Sequence, residues 1–249
     1  MLSSLLHRLC NSLGYQLMRT GRFQTLRALE NYKPSENVLA EHLHRMFERH
    51  RIDTVFDVGA NDGAFAEMLR REAKFTGTIH SFEPIPAQIA VLREKARNDE
   101  RWIIHDCALG AQAGTLPLNV MSSDVFSSFR QPASTQPGKY SDSNAIAMTI
   151  DVPVRTVAEM LRELPPSRVH LKMDTQGFDL EVFAGAAGAL DSICMLQSEL
   201  AFQTIYENAP DWRQAVDTFA KAGYRPSWLL PISFDDALGC IEADGVFVR

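Results

Sequence analysis

"IDTVFDVGANDGAFAEMLRREA", residues 52–73, decides how the rest of the chain is read. An apolar run from Ile52 to Val58 ends in a carboxylate and glycines and passes directly into a segment of helical periodicity. Asp57, Gly59, Asn61 and Gly63 therefore fall between a buried strand and a helix. A turn of this kind brings bare backbone to a helix N-terminus, where ligands commonly bind.

Working outward, short apolar runs recur: TVFDV (54–58), TIHSF (78–82), WIIHDCAL (102–109), VHLKMD (169–174), ICMLQSEL (193–200), PSWLL (226–230) and GVFVR (245–249). Most are separated by segments with helical spacing, at 63–73, 86–98, 156–164, 178–190 and 211–222. This alternation predicts an α/β fold with a largely parallel sheet covered on both faces. It breaks between 110 and 150, where GTLPLNVM and AMTIDVPV read as extended segments around a Ser- and Pro-rich stretch. A connection that long is either a mobile surface loop or a lid over the site.

Three acids recur at the ends of successive runs: Asp57, Glu83 and Asp106. Glu83 follows Asp57 by 26 residues, the length of one βαβ unit, where an acid can accept both hydroxyls of a ribose. A group at Asp106 could contact an adenine amino group. Its neighbours Cys107 and Ala108, with Leu109, could border the ring, as Pro84 could beside the ribose acid. The turn departs from the three-glycine dinucleotide fingerprint, with Ala60, Asn61 and Asp62 standing between two glycines. Asp57 and Asp62 would repel a pyrophosphate. They suit a nucleoside with a cationic end, which describes S-adenosylmethionine.

The second informative stretch is VHLKMDTQGFDLEVFAGA, residues 169–186. His170, Lys172 and Asp174 alternate along a strand that should be covered on both faces, and a buried ammonium requires a partner. Glu199 or Asp174 could be that partner; alternatively these groups surround an acceptor hydroxyl. Asp179 fits the start of the following helix as a favourable charge.

With both stretches in view, the chain resembles the FkbM family of S-adenosylmethionine-dependent methyltransferases. The resemblance rests on FDVGANDGAF, FEPIP, VPVRTVAEML, LKMDTQGFDLEVFAGA, QSEL and ADGVFVR, in that order, over roughly residues 50–249. It implies a class I methyltransferase (Rossmann-like) fold: a seven-stranded, mostly parallel sheet, one strand near the C-terminus antiparallel, helices on both faces. It implies O-methylation, often of sugar or polyketide hydroxyls, by in-line transfer from S-adenosyl-L-methionine. By motif match it places the donor at Asp57, Gly59, Ala60, Asn61, Gly63 and Glu83. Lys172, Asp174, Gln176 and Gly177 match the second motif, where Gln176 departs from the family's usual glutamate.

A sugar hydroxyl is a poor nucleophile, so a general base helps. Asp174 ranks first, then Glu199, then His170, with Lys172 beside them and Asp174 also bordering the donor. Ser127, Ser128, Arg130, Gln176 and Tyr206 are the acceptor-binding candidates. The acids lack tight ligand spacing, so no metal is expected. Two rivals stand: a non-catalytic nucleoside-binding partner protein, and an NAD-dependent oxidoreductase disfavoured by the missing third glycine.

Composition frames these readings. The chain has 249 residues, 45% hydrophobic, and a net charge of −6, which disfavours nucleic acid as a partner. Residues 1–50 read as an N-terminal helical extension and 51–249 as the methyltransferase domain. Residues 1–33 carry five basic residues against one acid, with leucines near helical spacing. They could pack on the domain, form a homodimer, or touch an anionic membrane surface. Four scattered cysteines suggest neither zinc nor disulfides, and the chain reads as cytoplasmic, with membrane association as the variant.

Overall fold

The structure, a computed structural model, describes residues 34–249. The sequence readings of residues 1–33 lie outside the described residues. A compact unit begins at Leu39, so residues 39–50 belong with the domain and not with an extension ending at 50. The reason is apolar spacing: Leu39, Ala40, Leu43 and Phe47 of helix α1 (Pro34–His50) are all buried.

The central sheet has seven strands: β1 (Thr54–Val58), β2 (Thr78–Phe82), β3 (Trp102–His105), β7 (Val169–Met173), β8 (Ile193–Ala201), β9 (Arg225–Phe234) and β10 (Cys240–Val248). They lie in the order β3-β2-β1-β7-β8-β10-β9, and β10 alone runs antiparallel to the other six. The order reverses between β1 and β7, which opens a crevice at the carboxyl ends of these strands. The architecture predicted from the sequence is the one observed.

Side-chain alternation assigns the two faces. Phe56, Val58, Leu171 and Met173 pack with helices α4 (Val157–Arg162), α5 (Asp179–Ala184) and α6 (Trp212–Lys221). Val55, Ile79, Met195 and Val246 pack with α1, α2 (Ala64–Arg71) and α3 (Pro86–Ala96). Capping boxes start α4, at Thr156 and Glu159, and α6, at Asp211 and Gln214.

The structure differs from the sequence reading in three places. WIIHDCAL is not one strand: β3 stops at His105, and β4 (Ala108–Leu109) crosses to a separate three-stranded sheet with β5 (Gly114–Met121) and β6 (Ile146–Arg155). Helix α5 is a turn and a half ending at Ala184, not a helix to 190, and glycines stand at 185 and 188. Of the two readings given for the Ser- and Pro-rich stretch, the loose loop does not hold for residues 122–145. They carry two 3-10 turns, Asp124–Phe126 and Gly138–Tyr140, and are bonded to the 174–181 and 201–209 segments.

Candidate functional site

The cleft is built first from the β1–α2 turn. Gly59 and Gly63 have φ of 72° and 85°, and Asn61 is also left-handed at 45°. A side chain at Gly59 would run into the Asp174 carbonyl, and one at Gly63 would press on Leu92 and Trp102. The turn therefore lies tight against the end of β7. Its first N–H groups, of Gly59 and Ala60, are taken by the Phe82 carbonyl. The N–H of Asn61 donates to Glu83 Oε2 at 2.9 Å, and the N–H of Ile85 donates to Oε1 at 2.9 Å.

Glu83 is thereby fixed as the bridge between two strand ends. Only 4% exposed, it is pushed up to about 7 by burial, against the pull of the Ile85 and Asn61 N–H groups. Each carboxylate oxygen keeps a second lone pair for a ligand.

A cavity of about 400 Å³ opens over this turn at the carboxyl edge of the sheet. Gly59, Ala60, Asn61, Glu83, Pro84, Ala108, Ser127, Lys172, Asp174, Gln176 and Glu199 all line it. Leu118 and Phe129 of the second sheet and its turn, with Val125 and Phe126, form the apolar roof. The structure thus brings eleven of the sequence-derived candidates to one cavity.

Other candidates lie elsewhere, each for an identifiable reason. Asp57 is fully buried beneath the turn and does not reach the cleft. Gly63 caps α2 against Trp102. Asp106 turns outward to pair with Arg93 at 2.5 Å and does not line the cavity. Cys107 points into the core, its thiol pushed up to about 11 by burial.

His170 is buried on the opposite side of its strand from the α5 face, against the rings of Phe47 and Phe65. Burial, with Lys172 adding to it, lowers it to about 3. It does not line the cavity, and its assignment as a base is withdrawn.

The acceptor candidates divide the same way. Ser128 is buried and donates to the Gln176 carbonyl at 2.7 Å. Tyr206 is also buried; its hydroxyl lies 2.7 Å from Gln176 Oε1 and 2.8 Å from the Phe126 carbonyl. Arg130 donates to the carbonyls of Gly177 (2.6 Å) and Asn208 (2.7 Å) and pairs with Glu181. These three residues fasten the 122–145 segment over the turn and do not line the main cavity. Arg130→Ala should remove that clasp and cost about 2–3 kcal/mol, since two carbonyls and a carboxylate lose a charged donor. Urea unfolding would measure the loss, and hydrogen exchange should quicken at 124–146 and 202–209 ahead of the core.

The acid end of the cleft contains groups the sequence reading passed over. Glu242, from β10, lines the main cavity and also a smaller one of about 60 Å³ behind it, which Glu199 and Tyr206 share. Burial, with Asp174 and Glu242 adjacent, raises Glu199 well above the usual carboxylate range. Burial and then Asp174 raise Asp244 to about 7. The signal in the sequence was present: Glu242 and Asp244 interrupt an otherwise apolar last strand.

Asp174 is the accessible acid of the group, its side chain 44% exposed. Its Oδ1 accepts from Gln176 Nε2 at 3.2 Å, and the same amide reaches Glu199 Oε2 at 3.1 Å. Lys172 stands 3.6 Å from Asp174. Burial works against the Lys172 charge, but Asp57 and Asp174 outweigh it and its pKa is raised. Lys172 is therefore a fixed cation and not a base. Among the described residues no group of three His, Cys, Asp or Glu side chains is placed to hold a metal ion, and no helix is long and apolar enough to cross a membrane.

A glycine cradle, a bridging acid and an accessible carboxylate on a seven-stranded sheet with one antiparallel strand can now be set beside known proteins. Residues 57–226 match the model of the methyltransferase FkbM domain. A 77-residue stretch is 40% identical to the 31-O-demethyl-FK506 methyltransferase FkbM of Streptomyces tacrolimicus. That match covers 28% of this chain and 29% of the relative's length. The crystal structure of a methyltransferase FkbM from Methylobacillus flagellatus KT superposes with a TM-score of 0.51 at 14% identity, over 80% of this chain and 44% of that one. The family match extends over most of the described domain, and the chain belongs to the FkbM methyltransferase family.

Proposed function

We propose that this methyltransferase moves a methyl group from S-adenosyl-L-methionine to a hydroxyl of a small molecule, a sugar or glycan or a polyketide-like compound. The observation that carries the reading is the β1–α2 cradle with Glu83 at its side. Its left-handed turn has no room for side chains at Gly59, and an acid with free lone pairs stands where a ribose would lie. Glu83 would hold the ribose hydroxyls, and the Gly59–Asn61 backbone and Asp174 the amino-acid end. Ala108, Leu109 and Leu118 offer apolar walls to the base. The donor, when bound, supplies an electrophilic methyl group on a sulfonium.

What remains for the chain is alignment, exclusion of water and proton removal. Asp174 is the general base in this reading, because it is half exposed in the cleft and the Gln176 amide orients it, whereas Asp62, also exposed there, is paired with Lys95 at 3.2 Å. Glu199, whose burial beside Asp174 and Glu242 favours the protonated form, is better suited to hold an acceptor hydroxyl by donating to it. The name of the Streptomyces relative, an O-demethyl substrate, supports oxygen as the acceptor atom. The domain in this reading spans residues 39–249.

The test is calorimetric titration with S-adenosylmethionine, S-adenosylhomocysteine and NAD, followed by transfer of labelled methyl to a panel of hydroxylated acceptors. Binding of the two sulfur nucleosides and not NAD is expected. No binding by either would sink the reading, and an Asp174→Asn variant with wild-type turnover would remove Asp174 as base.

A further inference from the structure

Asp57 is a fully buried carboxylate directly beneath a ligand cradle, touching none of the cavity. It is flanked in register by Lys172 on β7 and Ser81 on β2. Its Oδ1 lies 3.0 Å from Lys172 Nζ, and Ser81 Oγ donates to its Oδ2 at 3.2 Å. Ser81 in turn accepts from the Trp102 indole at 2.9 Å. The ammonium spends a second proton on the Gly59 carbonyl at 3.0 Å. Asp174, at 3.6 Å, is within ionic reach but beyond a hydrogen bond.

We propose that Asp57 sets the charge the cleft presents: as counter-ion of Lys172 it keeps that ammonium from neutralising Asp174, which stays free for the cationic amino-acid end of the donor. The inference rests on the donor reading above. The physical argument is competition for one cation. A nearly buried ammonium must be paired, and two carboxylates are in reach. Asp57 has no water to fall back on, whereas Asp174 is half exposed, so the pairing with Asp57 is the shorter one. Without the Asp57 charge, the ammonium's nearest remaining acid is Asp174. Closing that gap would cancel the negative charge that Asp174 presents to the cleft. Asp57 is therefore a positioning residue acting through Lys172. This differs from a role in which Lys172 itself grips the donor's carboxylate, and the two give opposite results in a double variant.

The experiment is calorimetric titration of the full chain with two probes, S-adenosylhomocysteine and 5′-methylthioadenosine. The second shares the nucleoside and thioether but lacks the amino-acid end. Asp57→Asn should lose about tenfold in affinity for S-adenosylhomocysteine, the scale of one lost charge contact, and keep its affinity for methylthioadenosine. Asp57→Asn/Lys172→Met removes the competing cation with the counter-ion, and should return the ratio of the two probes' affinities to the wild-type value, the lost donor to the Gly59 carbonyl weakening both probes alike.

Undiminished binding of S-adenosylhomocysteine by the single variant would overturn the proposal, as would equal losses for both probes, the mark of a merely structural role. A loss confined to S-adenosylhomocysteine in the double variant would overturn it too, and would assign Lys172 to the donor carboxylate. If the single variant does not fold, the double variant decides by itself. A wild-type protein that binds neither probe would bring down the donor reading, and this inference with it.

Discussion

Lys172→Met is expected to lower the stability of the protein by about 3–5 kcal/mol, the range for removing one partner of a buried ion pair. The carboxylate left behind, Asp57, is fully buried, and Ser81 would be its only remaining hydrogen-bond donor. The Gly59 carbonyl would lose its 3.0 Å donor at the same time, loosening the cradle. Methionine keeps much of the side-chain volume, so the loss reports charge and not a cavity. Urea unfolding of wild type, Lys172→Met and Asp57→Asn/Lys172→Met would measure it. The double variant should regain much of the stability, because it leaves no uncompensated charge buried. A single variant within 1 kcal/mol of wild type would mean that water reaches Asp57, contrary to its burial.

What the sequence disclosed follows from which forces act locally. The limits of β1 and β2 were readable because TVFDV and TIHSF are buried along almost their whole length, and only a two-sided sheet asks for that pattern. The glycine turn was readable because left-handed backbone and close approach leave a residue signature. Asp106 misled, since the spacing of strand-end acids is the same whether the side chain turns inward or, as here, outward to Arg93. His170 misled through parity: it alternates with functional neighbours, but its ring faces Phe47 and not the cleft.

How the 122–145 segment is fastened could not have been read. Its fastenings run from Ser128 and Arg130 to backbone carbonyls 47 to 78 residues away, and a carbonyl has no sequence identity. Nor could the pairing of Asp57 with Lys172, since β7 lies beside β1 only through a crossover of more than a hundred residues.

Glu83→Gln should weaken S-adenosylhomocysteine about 100-fold, the cost of two hydrogen bonds to a charged acceptor. The amide keeps the volume but offers one oxygen where two N–H groups, of Asn61 and Ile85, now each have their own. One of them must face an NH₂ group, so the left-handed Asn61 turn loosens as the ribose loses its charged acceptor.

The pH dependence separates this from a general loss of shape. Burial holds Glu83 at about 7 in the folded chain, above its ordinary value of 4.5. The folded state thus binds the extra proton between these values, and this group's contribution to stability declines as pH rises from about 4.5 to 7. Ligand affinity runs the other way, because the ionised carboxylate is the stronger acceptor. Between pH 6 and 8 the ionised fraction rises about tenfold, and wild-type affinity should rise with it. Glu83→Gln should flatten both trends. Calorimetric titrations at pH 6, 7 and 8, paired with urea unfolding at the same values, would show whether they vanish together. A variant that keeps the wild-type pH slope in ligand affinity would assign the titration to another acid, with Asp244, also near 7 though outside the cavity lining, the next to substitute.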